Sequence, residues 1–308
     1  MAASSSSSSS SSKKVNNSCH FRSISLPSKS NPIIERIGEE LNKLKAWEES
    51  STSTAQVISI GLIGLSDLYR CIDDVLSLPL TQQALPLHHH ERSVDELLET
   101  SLSLLDICSA ARETVLQLKE SVRDLRSAVR RRKDGSSVES SIANYMCSRK
   151  RIIRSAKGLI LSLKRVGHNL ASSTVSDDDH DRLSMVIKAL RCVSVITISV
   201  YESLLFFLSM PVPRKPKSSK WLLVSKLLQR RETACEEQMT DVGNELRNVD
   251  VALRAACWCE RAEAEKLQLL YRRLEATEVG LEGIENGSDT MFRQLIKTRA
   301  SLLNVISF

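Results

Sequence analysis

The stretch VDELLETSLSLLDICSAARETVLQLKESVRDLRSAV, Val94 to Val129, decides the fold. Positions 94, 97, 101, 104, 108, 111, 115, 118, 122, 125 and 129 hold Val, Leu, Ser, Leu, Cys, Ala, Val, Leu, Val, Leu and Val, spaced alternately three and four apart over five heptads. Such a seam belongs to a long helix of coiled-coil character and requires helical partners along most of its length. No proline interrupts residues 87–210, so uninterrupted helices are permitted throughout. The break falls instead at RRRKDGSS, where Asp134 and Gly135 supply a turn and the serines a cap for a returning helix over about 137–168. Two long helices with so short a link predict an antiparallel hairpin around Asp134 and Gly135.

Working outward, Pro32 suits a first helical turn, and Ile33, Ile34, Ile37, Leu41 and Leu44 fall on one face as far as Trp47. A second helix, about 56–78, contains Gly61 and Gly64, which either permit close packing or weaken its start. Pro79 reads as a kink or break. After the acidic link NLASSTVSDDDHD a helix runs from near 180 to Pro211, and its 193–210 portion is the one stretch that this reading tests as a membrane span. Arg191 and Glu202 within that window favour burial in a bundle. PVPRKPKSSK suggests an internal linker at 211–220, followed by helical spacing in WLLVSKLLQRR. Two further helices are expected at 243–280, its end weakened by Gly280, Gly283 and Gly287, and at 289–306. No repeat and no sustained alternation of apolar and polar residues calls for a strand. The expectation is an all-α fold: an elongated antiparallel bundle of six to eight helices over 32–308, behind a disordered serine-rich tail at 1–31.

Composition agrees with helices. Of the 308 residues only 4% are aromatic, with 10 Gly and 7 Pro, which argues against a sandwich or barrel. The formal charge of +6 is modest, and by itself does not point to nucleic acid. Eight scattered cysteines suit buried hydrophobes in a reducing compartment better than a disulfide framework. A polar serine run in place of an apolar h-region gives no secretory signal. The expected compartment is the cytoplasm, with the nucleus or a peripheral membrane location as alternatives and organellar targeting left open.

Chemical motifs are sparse. His88, His89 and His90 are adjacent and do not converge on one point, while a helix points Cys257 and Cys259 in different directions and the nearest histidine in sequence is His180, so neither is read as a metal site. With no phosphate-cradling loop or nucleophile elbow, the reading assigns no catalytic residue and no cofactor. Two basic clusters carry more weight: Arg123, Arg126, Arg130, Arg131, Arg132 and Lys133 before the turn, and Arg149, Lys150, Arg151, Arg154 and Lys157 after it. In a hairpin they share its distal half and could meet an anionic membrane surface, or they form a solvated face neutralised by Asp and Glu. Few aromatics interleave with them, which disfavours nucleic acid. In the tail, R-S-I-S-L-P places Arg22 three residues before Ser25 and Pro27 two after it, resembling the phosphoserine motif read by 14-3-3 proteins.

HFRSISLPSKSNP, ELNKLKAW, GLSDLYRCIDDVLSLPLTQQAL, LLDICSAARE and the terminal LIKTRASLLNV together resemble the plant BYPASS-like family, long catalogued as a domain of unknown function. The resemblance covers nearly all of the chain after the serine run. It implies a role in root and shoot development or signalling, without an established enzymatic activity and with no catalytic or metal-binding residues to carry over. Two classes of function follow: a helical interaction or regulatory protein whose protein partners are unidentified, or a peripheral membrane adaptor that uses the basic hairpin.

Overall fold

Helix α4, Arg92–Arg131, is 40 residues long and carries the seam at the centre of the protein. In the computed structural model every seam position but Ser101 is buried. Three neighbours cover it: α5 (Gly135–Ser172), α6 (Arg182–Ser209) and α8 (Ala264–Ser307). The seam thus serves a bundle and not a single supercoiled pair. The structure describes residues 32–49, 54–87, 92–131, 135–172, 182–211, 244–257 and 264–307. These residues form eight helices and no strand, all within one compact unit spanning 31–308. The expectations for the tail at 1–31, for most of the 211–220 linker and for the helix at 221–231 lie outside the described residues.

The expected helical pair is present: α4 ends at Arg131 and α5 opens at Gly135, two residues before the expected start, with 132–134 outside the described residues. Thr114 and Ser155 hydroxyls meet across it at 3.3 Å, joining α4 to α5. Along α4 and α8 the chain runs in opposite directions. Arg112 pairs with Asp289, Lys119 with Glu285 and Arg126 with Glu278, so rising numbers on α4 meet falling numbers on α8. Arg299 near the end of α8 closes the row by donating to the Leu98 carbonyl at 2.6 Å.

Helix α1, Pro32–Glu48, seats Ile37, Leu41 and Leu44 in the core against α2, Ala55–Leu76. Thr54 caps α2, its hydroxyl accepting the Val57 amide at 3.3 Å. Glu245, first residue of α7 (Glu245–Cys257), accepts the Ala55 amide at 3.1 Å, so a carboxylate faces the positive end of α2. At Gly61 an added Cβ would lie 2.5 Å from the Trp47 ring, and Trp47 Nε1 donates to the Val57 carbonyl at 2.6 Å. Gly61 therefore permits close packing and does not merely weaken the helix.

The break expected at Pro79 is present: α2 ends at Leu76 and Pro79 opens helix α3, Pro79–Leu87, where a first-turn proline has no amide that the helix needs. One expectation is corrected. Gly280, Gly283 and Gly287 do not end a helix: they lie inside α8, 44 residues long, while the preceding helix α7 is separate and short. A Cβ at Gly280 would lie 2.7 Å from Ala55 Cβ, one at Gly283 would lie 3.3 Å from Ser59 Oγ, and one at Gly287 would lie 3.0 Å from Leu62 Cβ. Rising numbers on α2 meet rising numbers on α8, so these helices run parallel, with α2 side chains seated against the α8 backbone at its glycines. The contact offsets what the glycines lose in helix propensity.

Helix α6 is inside the bundle, with Val200, Tyr201, Leu204, Leu205, Phe207 and Leu208 fully buried. Its hydroxyls turn back on its own carbonyls, Ser194 to Leu190 at 2.9 Å and Thr197 to Val193 at 2.7 Å, which lets polar residues sit in the core. By length and composition alone, residues 185–209 and also α2 could cross a membrane, and 56% of the α2 window and 67% of the α6 window are buried here. The 193–210 stretch is thus not alone in passing that test.

Candidate functional site

From residue 140 to 172 the chain contains seven Lys and Arg and no Asp or Glu. Helix phase sorts them. Positions 145, 149, 152, 156, 160 and 163 form the buried face of α5, turned to α4 and α6. Positions 147, 150, 154, 157, 161, 164, 165 and 168 repeat every three or four residues on the opposite side. Lys150, Arg154, Lys157, Lys164, Arg165 and His168 are exposed there, with Arg151 beside them. At the centre of this row stands Leu161, 59% exposed. None of these exposed Lys and Arg side chains makes an ion pair among the described residues. Lys164 lies in the field of the half-buried Glu202 of α6.

Arg149 is the correction. It was expected on the anionic-contact surface with its neighbours, yet its exposure is 0%. One residue of helical rotation separates it from Lys150, which turns it to the inner face. Its guanidinium donates to the Leu208 carbonyl at 2.6 Å and to the Met210 carbonyl at 3.1 Å, capping the end of α6. Asp250 of α7 lies 3.5 Å from Nε and accepts the Tyr145 hydroxyl at 3.2 Å. Burial lifts the Asp250 carboxyl above the usual range, against the opposing pull of Arg149 and Tyr145. Arg149 thus ties α5, α6 and α7 together and has no surface to offer.

The other basic arm is largely spent within the fold. Arg126 meets Glu278 at 3.0 Å and Glu275 at 3.7 Å, and Arg123 reaches Glu278 at 4.0 Å. Arg130 and Arg131 are exposed at the end of α4, Arg131 donating to the Ser127 carbonyl at 3.2 Å. Arg132 and Lys133 lie outside the described residues, as do Arg22, Ser25 and Pro27 and the histidines at 88–90. Lys150, Arg151 and Arg154 are exposed as expected. Lys164, Arg165 and Leu161 were not singled out in the sequence, although the three-and-four spacing of the outer face contains them.

Elsewhere the chemistry is quiet. Among the described residues no three His, Cys, Asp or Glu side chains gather as metal ligands. Cys71, Cys108 and Cys192 are free and buried, and Cys147 is free and exposed. Burial pushes the Cys108 thiol up to about 12, with the Tyr201 hydroxyl opposing, which leaves it unreactive. A cleft of about 400 Å³ between α4, α5 and α6 is lined by Arg92, Glu96, Asn169 and Arg191. Three of its charges are paired, Glu96 meeting Arg92 at 2.9 Å and Arg191 at 3.2 Å, while the exposed Glu99 also lines it. The outer face of α5 is the one large set of unneutralised charge on a single described helix.

Comparison with known proteins adds one result. A family model described as Protein BPS1 matches residues 61–305, from within α2 almost to the end of α8. No curated protein and no solved structure matches the chain.

Proposed function

We propose that this chain, which belongs to the plant BPS1 family, is a non-enzymatic helical interaction protein of developmental signalling that docks an anionic partner on the outer face of α5. The observation that carries the reading is the row from Lys150 to Arg165, exposed, in phase and without ion pairs among the described residues. The remainder of the body acts as its support: Arg149, Asp250 and Tyr145 hold α5 to α6 and α7, and the α4 to α8 ion pairs hold α4 behind it. Support for a structural use of the buried polar groups is that Asp73 accepts from Gln294 and Thr298 and Asp250 accepts from Tyr145, bonds that join one helix to another. The cytoplasm is the compartment this reading implies.

Proximity labelling in intact plant cells tests it. A variant with Lys150→Glu, Arg154→Glu, Lys157→Glu and Arg165→Glu should lose the neighbours that label with the natural chain. Identical neighbour sets would defeat the reading. The tail belongs to the same proposal: phosphorylated Ser25, with Arg22 and Pro27, is a docking motif for a 14-3-3 protein, and the sequence alone supports it.

A further inference from the structure

The docking face of α5 has features that select among anionic partners. Lys150 to His168 spans about 27 Å of helix at 1.5 Å per residue, with one cation or more on nearly every turn. Between the cations stand small residues: Ser155 and Gly158 are exposed, and a Cβ added at Gly158 would meet nothing within 4 Å. Among the described residues, the face is thus open at Gly158 and low between its cations. At the middle, Leu161 projects into solvent amid Lys157, Lys164 and Arg165, whose aliphatic stems can lie along an apolar layer while their charges remain at its polar edge. On α5 itself the nearest acid is Glu139, eleven residues before Lys150; the acidic run Asp177 to Asp181 that follows α5 lies outside the described residues, and Glu202 of α6 interacts with Lys164.

These features fit poorly with the other anionic classes. Cores of protein interfaces are depleted in lysine and anchored by aromatic side chains, and the outer face from 150 to 168 has three lysines and no aromatic residue. Single-stranded nucleic acid needs aromatic platforms that this face also lacks. A linear row of cations around one exposed leucine matches instead an interfacial helix lying on headgroups.

We infer that the outer face of α5 seats on an anionic phospholipid bilayer, with Lys150, Arg154, Lys157, Lys164 and Arg165 at the headgroups and Leu161 at the acyl boundary. This deepens the docking reading and rests on it. Binding is peripheral and requires no helix to leave the bundle.

The test is co-sedimentation of the full chain with vesicles of phosphatidylcholine alone and of phosphatidylcholine with phosphatidylserine. Binding should require the serine lipid and weaken as salt shortens the Debye length below about 8 Å. Each cation neutralised should lower partitioning about fivefold, so Lys150→Ala, Arg154→Ala and Lys157→Ala together lower it about a hundredfold. Leu161→Asp should weaken binding severalfold, whereas Leu161→Phe should preserve it. Helicity by circular dichroism checks that these exposed substitutions leave the body intact. Equal binding to both vesicle types, or indifference to the triple variant, would overturn the inference. So would absent vesicle binding while the face captures an acidic peptide or a short nucleic acid. If vesicles bind nothing but charge reversal still removes the cellular neighbours, the lipid is the wrong occupant and the docking face stands. If reversal changes neither, both readings fall.

Discussion

Replacing Arg149 by alanine should be among the most damaging single changes in the protein. The guanidinium is fully buried, donates to the carbonyls of Leu208 and Met210, and faces Asp250, itself 1% exposed. Arg149→Ala leaves a buried carboxylate without its cation and two carbonyls at the end of α6 without a donor. Breaking one half of such a pair costs about 3–5 kcal/mol, which for a body of this size lowers the melting temperature by about 6–20 °C. Arg151→Ala, two residues away on the exposed side, should change stability by less than about 0.5 kcal/mol. The double variant Arg149→Met with Asp250→Leu removes both charges and should regain part of the loss. Without Arg149 the Asp250 carboxyl rises further, so the folded variant binds a proton that its unfolded chain does not hold. The variant therefore loses stability as pH rises out of the ordinary carboxyl range, and its deficit shrinks in acid. Thermal and urea unfolding of the four chains provides the measurement. Equal melting temperatures for the two arginine variants would show that Arg149 is not the buried tie described here.

Other substitutions separate contact from propensity. Gly158→Ala, with open space around it, should stabilise α5 by up to about 1 kcal/mol, whereas Gly280→Ala must push against Ala55 and should cost about 1–3 kcal/mol, both read from urea midpoints. Burial raises the Glu202 carboxyl, Lys164 opposes and Glu48 adds to the rise, so the folded state holds that proton more tightly than the unfolded chain. Stability from this group therefore falls as pH climbs from about 4, and Glu202→Gln should gain on the natural protein with rising pH and match its trend in acid when unfolding is followed across that range. Titration calorimetry of matched peptides around Ser25 against a 14-3-3 protein should detect binding only when Ser25 is phosphorylated. Equal affinity for both peptides would remove the tail from the mechanism.

The hairpin was legible because its two signals are local: the seam repeats every three or four residues, and Asp134 with Gly135 interrupts it. Helix α8 was not, for a physical reason. The entropic cost of Gly280, Gly283 and Gly287 can be read from the residues, but the backbone contact with α2 that offsets it belongs to a partner more than two hundred residues away. Arg149 shows a different lapse. Counting cations in a run puts it with Lys150 and Arg151, whereas its phase relative to Tyr145, Ile152 and Ala156 assigns it to the interior. The same phase extends the exposed row to Lys164 and Arg165, beyond the point where charge density along the chain falls away. Pro79 stops one helix and starts another, and the residue alone does not distinguish the two.

The parallel contact of α2 with α8 also dictates an order of events during synthesis. Ser59 donates to the Gly283 carbonyl across 224 residues of chain. At about 5–20 residues per second the ribosome needs roughly 10–45 s to bring the second partner out after the first. Throughout that interval Ala55, Ser59 and Leu62, which meet Gly280, Gly283 and Gly287 in the finished protein, lack the surface that eventually covers them. The nascent chain is thus a long-lived client for whatever shields apolar helices at the ribosome exit, and a stop codon anywhere before α8 leaves α2 without its principal cover.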